Sequence, residues 1–150
     1  MFILFLSVGC LQLRAQQKQD SALCSGDDLH YLGYVMMTGD TSVWAQLTNN
    51  DVYYLSRAWF FRSSKMLHYI KNDDLYFFGS AILSGEKKEL EKILRDDWFY
   101  LGTALFEKKA DFLENIGSDD IYYLGKCLLL RDLNYLDQMS TPDHQHPASE

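Results

Sequence analysis

The chain has 150 residues, 47% of them hydrophobic and 15% aromatic, which is enough apolar material to fill the core of one domain. Its formal net charge is −7, and its 14 basic residues are scattered along the sequence. Nucleic acid and anionic membrane surfaces are held through basic patches, so this balance argues against both as partners.

The segment Phe2 to Leu11 is apolar apart from Ser7 and Gly9. That suits the short core of a secretory signal peptide and is too short to span a bilayer, which takes about 20 apolar residues. We expect residues 1–15 to be a signal peptide cleaved after Ala15, placing a soluble chain outside the cell or in the periplasm. In the alternative, Ser7-Val8-Gly9-Cys10 resembles a bacterial lipobox, and Cys10 would anchor the chain to the membrane as a lipoprotein. A third reading takes residues 2–11 as simply an apolar first helix. Residues 16–26 read as a linker.

From Asp27 the sequence repeats. The pairs Asp27-Asp28, Asn50-Asp51, Asp73-Asp74, Asp96-Asp97 and Asp119-Asp120 recur every 23 residues without insertion. They define five units: 27–49, 50–72, 73–95, 96–118 and 119–141. Counting the first residue of each pair as unit position 1, apolar residues fall at positions 3, 6 and 10, as on one face of a helix. Position 7 is Gly33, Gly79, Gly102 or Gly125, with Ser56 in the second unit. Glycine inside a helix costs about 1 kcal/mol against alanine, so its recurrence implies close packing at that column. Position 9 is slim throughout (Val35, Ala58, Ala81, Ala104, Cys127).

The spacing predicts a helix opened by the acidic pair, with its first member as N-cap. A turn near position 13 (Gly39, Gly85) and a second helix over positions 14–22 follow. In the second helix, positions 18 and 21 face inward. One such hairpin cannot bury its own apolar faces, so the expected fold is all-α: an α-solenoid of five helix-turn-helix units. At helix spacings of about 8–10 Å, the first and fifth units of an open stack stand roughly 35–40 Å apart. That separation disfavours a bond between Cys24 and Cys127 unless the array closes. Cys127 then reads as a small core hydrophobe. Residues 142–150 are polar and read as a disordered tail.

In the fourth unit, Trp98-x-x-Leu101-Gly102-x-x-Leu105 resembles the first-helix signature of tetratricopeptide and Sel1-like repeats. The same spacing occurs in the first, third and fifth units. Those families use units of about 34–36 residues, so the likeness is confined to the first helix. It implies a scaffold for protein–protein contacts and transfers no individual binding residue.

Catalytic chemistry finds little support. Capping accounts for the acidic pairs, and no EF-hand spacing of ligands follows any of them. His144 and His146 lie in the polar tail without further ligands at metal spacing. The sequence has no Gly-x-Ser-x-Gly, phosphate-cradling loop or zinc-type cysteine pair. We therefore expect no enzyme, no cofactor and no metal.

Two adjacent aromatic columns remain. Position 5 holds Tyr31, Tyr54, Phe77, Tyr100 and Tyr123, and position 4 holds His30, Tyr53, Tyr76, Phe99 and Tyr122. Neighbours on a helix point about 100° apart, so position 4 either packs between units or lines an accessible, aromatic recognition face. With Arg57, Trp59 and Arg62 of the atypical second unit, the candidate partner-binding residues are His30, Tyr53, Arg57, Trp59, Arg62, Tyr76, Phe99 and Tyr122. The expected function is an exported protein-interaction scaffold with an unidentified protein partner. The alternatives are a carrier of an apolar small ligand in an aromatic groove, or an immunity-type inhibitor of a secreted toxin.

Overall fold

A computed structural model of the chain describes residues 24–139. The expected signal peptide, the lipid-anchor site at Cys10, most of the linker and the tail all lie outside the described residues. Five α-helices alternate with five short 3-10 helices: α1 (Gly26–Thr38), η1 (Thr41–Gln46), α2 (Asn50–Phe61), η2 (Ser64–Tyr69), α3 (Asp73–Ser84), η3 (Lys87–Lys92), α4 (Asp96–Glu107), η4 (Ala110–Asn115), α5 (Asp119–Leu130) and η5 (Leu133–Gln138). The all-α repeat architecture read from the sequence is the observed one. Among the described residues no helix is long and apolar enough to cross a membrane.

The return element is shorter and tighter than expected. Each unit leaves only about ten residues to travel back along a twelve-residue α-helix. A 3-10 helix rises about 2.0 Å per residue against 1.5 Å for an α-helix, so six residues of it recover more of that length. Extended backbone at the flanking residues, such as Asp40 and Leu47 in the first unit, covers the remainder.

The acidic pairs also work differently from the expectation. The N-cap is the residue before the pair in units two to five, and Ser25, two residues before it, in the first. Asn49 accepts from the N–H groups of Asp51 and Val52, Asn72 from Leu75, and Ser118 from Ile121. The first acid lies in the first turn, where it favours the helix dipole. The second acid reaches across its own unit to the strand-like link that leads into the next helix. Asp74 accepts from the backbone N–H of Leu94 at 2.8 Å and of Arg95 at 3.2 Å. Asp28, Asp51 and Asp97 each bind the equivalent pair of amides. The link cannot form a regular ladder, and the carboxylate satisfies its amides instead.

The glycine column serves as a row of notches. A Cβ on Gly102 would stand 2.6 Å from Leu90 Cδ2, and one on Gly79 would stand 2.7 Å from Leu67 Cδ2 and 2.8 Å from Leu55 Cδ1. Each notch therefore receives the position-18 leucine of the preceding unit's 3-10 helix, together with that unit's position-6 side chain. At the junction of the first and second units both partners vary at once. Trp44 replaces the leucine, Ser56 replaces the glycine, and the indole Nε1 donates to Ser56 Oγ at 2.7 Å.

A Cβ on Gly33 in the first unit would stand 2.8 Å from Leu136 Cδ2 and 2.9 Å from Leu124 Cδ1 of the fifth. Helix α1 packs on α5 and η5 as every other α-helix packs on its predecessor. The array therefore closes into a ring, and the wide separation expected of its two ends does not occur. Cys24 and Cys127 are both buried free thiols. One hydrophobic core runs around all five units.

Candidate functional site: an apolar bowl at the centre of the ring

Closure gives the five α-helices a common inner face. Positions 3 and 6 fill its N-terminal half: Leu29, Val52, Leu75, Trp98 and Ile121, then Leu32, Leu55, Phe78, Leu101 and Leu124, are all buried. Phe78 and Trp98 meet edge to face there, with centroids 5.2 Å apart. One turn further on, position 10 has no partner across the centre. Met36, Trp59, Ile82, Leu105 and Leu128, one from each unit, are half-buried around a cavity of about 650 Å³. Met37, Phe106, Leu129 and Leu130 extend its wall, and Lys108 and Arg131 stand at its mouth. The buried position-6 layer closes the bottom, so the space is a bowl and not a channel. A narrow apolar crevice between Leu55, Phe78, Gly79 and Leu83 opens from its side, under Met36, Trp59 and Ile82.

Lys108 and Arg131 at the mouth are helix C-caps at position 13. All five cap residues are left-handed: Gly39, Arg62, Gly85, Lys108 and Arg131. Each donates its backbone N–H to the carbonyl of the position-9 residue, closing the last turn. The guanidinium of Arg62 lies 4.6 Å from the ring centroid of Trp59, which carries the cation to the bowl wall.

Of the eight residues proposed from sequence, Trp59 lines the bowl and Arg62 lies against the Trp59 ring without lining the cavity. The position-4 column lies elsewhere. His30, Tyr53, Tyr76, Phe99 and Tyr122 are half-buried. Tyr53 packs against Trp44 of η1 with centroids 6.1 Å apart, and Tyr76 against His68 of η2 at 6.5 Å, each on the preceding unit's 3-10 helix. Tyr122 carries the ammonium of Lys126 over its ring. The structure therefore distributes these five around the ring without bringing them into one site.

Arg57 forms a second, outer cluster. It lies 5.3, 5.4 and 5.5 Å from the rings of Trp44, Tyr53 and Phe61 and donates to Tyr53 Oη at 2.6 Å. Its Nε is buried without a hydrogen-bond partner. Phe60 and Phe61 beside it remain 41% and 51% exposed.

Sequence reasoning placed position 10 on the inward stripe but missed its bowl, and it missed Met37, Phe106, Leu129, Lys108 and Arg131 altogether. One available signal was that position 10 varies in shape from unit to unit (methionine, tryptophan, isoleucine, leucine, leucine) while positions 6 and 9 vary much less. No group of three metal-ligating side chains is assembled among the described residues. No known family's sequence pattern, no curated protein and no solved structure matches the chain.

Proposed function

We propose that this chain is a non-enzymatic binding protein that takes an apolar ligand into the central bowl. The observation that carries this reading is the bowl itself, a cavity of about 650 Å³ to which every unit contributes a large apolar side chain. Ligand sites commonly enclose about 300–1,000 Å³ and are lined by apolar and aromatic groups. Closure also converts the concave inner surface that open solenoids use for extended partners into a bowl open at one end.

The test is titration of the chain with a neutral solvatochromic dye, followed through Trp59 emission and calorimetry. Saturable binding of about one dye per chain is expected. Leu105→Glu should abolish it while leaving the helical circular dichroism intact, because that wall position is only half-buried. Absence of saturable binding in the folded parent chain would defeat the proposal.

A protein-interaction role is the second reading, and the outer cluster favours it. Exposed Phe60 and Phe61 beside Arg57 and Trp44 have the composition of interaction hot spots. A stoichiometric protein partner that is lost with Phe60→Ser and Phe61→Ser, yet retained by Leu105→Glu, would place recognition there. In both readings the chain acts outside the cell or in the periplasm, delivered by its apolar N-terminus.

A further inference from the structure

We infer that the bowl selects an anionic single-chain amphiphile, a free molecule with a tail of roughly ten or more carbons and a carboxylate or sulfate head; this rests on the apolar-ligand reading above. Two independent features of the mouth carry the inference. First, position 13 must be left-handed to cap the helix, a conformation in which glycine is the least strained residue. The chain uses Gly39 and Gly85 there, and in the other three units it uses Arg62, Lys108 and Arg131 at φ of 52, 57 and 56°. All three exceptions are cations. An L-residue at these angles is strained, and asparagine, the usual non-glycine choice, is not used.

Second, these cations are not spent on ion pairs. Among the described residues none of the three has a carboxylate partner, although the chain carries a net charge of −7. The nearby acids are engaged elsewhere: Glu107 with Lys87, Glu86 with Lys88, and Asp132 with the amide of Asn134. No acidic side chain lines the bowl. A pit walled by apolar side chains, with Lys108 and Arg131 at its mouth and Arg62 on the wall residue Trp59, matches a molecule with an apolar tail and one anionic end.

Cations at helix C-termini also complement the helix dipole, and the experiment separates that role from ligand selection. Full-length chain is titrated by calorimetry with dodecanoate, dodecanol and dodecyltrimethylammonium, and with decanoate and tetradecanoate. The same series is run on the variant R62G/K108G/R131G. This variant gives all five caps the residue that Gly39 and Gly85 already supply, so it should fold at least as well as the parent.

Dodecanoate is expected to bind about ten- to a hundredfold more tightly than dodecanol, less so as ionic strength rises. Each added methylene should tighten binding about fourfold. The glycine variant should lose the preference for the anion, its affinity for dodecanoate falling to that for dodecanol. Equal affinity for the acid and the alcohol in the parent chain would overturn the inference and leave the apolar-ligand reading standing. An anion preference that persists in the glycine variant overturns the role given to the mouth. Failure of all three probes to bind overturns the bowl as a ligand site altogether. Binding to anionic vesicles without binding of monomeric dodecanoate would mark a membrane surface as the true partner, and would equally overturn it.

Discussion

The two acids of a pair have the same chemistry and different work, and single substitutions should tell them apart. Asp74 is buried and takes up two backbone amides and the guanidinium of Arg95. Asp74→Ala strands both amides and should lower unfolding free energy by about 2–4 kcal/mol. Asp73 is exposed in the first turn of α3, and Asp73→Ala should cost roughly 0.5 kcal/mol. Urea denaturation of the two variants checks the difference, and equal losses would mean that the link is held by something else. A second residue-scale consequence concerns pH. Burial, reinforced by Asp132, pushes the Cys127 thiol up to about 11, and burial with Asp28 pushes Cys24 up to about 12. Thiols of the unfolded chain ionise near 9, so the buried neutral forms do not oppose folding below that pH. Above it the unfolded state loses protons that the folded state keeps, and stability falls until the folded thiol itself titrates. Between about pH 9 and 11 the wild type should lose on the order of 2 kcal/mol relative to Cys127→Ala. Alanine already occupies that column at Ala58, Ala81 and Ala104, and the tyrosines common to both proteins cancel in the comparison.

At the level of the element, helix α4 and the short helix η3 meet through one leucine in one notch. Gly102→Ala would gain about 1 kcal/mol of helix propensity, but its Cβ would press Leu90 at 2.6 Å and Phe78 at 3.3 Å. Overpacking of that kind costs about 1–3 kcal/mol, so net destabilisation is expected, read as a lower thermal midpoint. A midpoint raised by the alanine would show that Leu90 moves aside freely. The glycine column was legible from the sequence because four of five units repeat it. Its partner was not, since the leucine that fills each notch comes from the unit before and belongs to a 3-10 helix that apolar spacing reads as α-helical. The junction of the first and second units carried the clue: Trp44 and Ser56 depart from their columns together, twelve residues apart. The left-handed cap at position 13 was legible at Gly39 and Gly85 and hidden at Arg62, Lys108 and Arg131, because nothing local marks a cation as left-handed.

On the scale of the whole molecule, the fold class, the number of units and their boundaries could be read from the 23-residue interval, whereas closure could not. Closure requires each unit to turn by one-fifth of a circle, a sum of small rotations that no column records. Without it the bowl does not exist, which is why position 10 read as core. The ends did carry a trace: open arrays need polar capping units, and here Gly33 and Leu136 keep the same inward residues as the middle of the chain. Closure makes the seam equivalent to the interior. Leu136→Ala should therefore cost as much as Leu67→Ala, about 2–5 kcal/mol, where the last unit of an open array would lose much less. Comparison of the two variants by denaturant midpoint decides it. A ring has no privileged starting point. Met139 holds unit position 21 and Ser25 position 22, so joining them directly restores the interval that every other junction uses. The polypeptide can then be cut at any of the remaining junctions, and circular permutants beginning at Asn50, Asp73, Asp96 or Asp119 should all reach the same native state, so that the order of the units along the chain is an accident of where its ends fall.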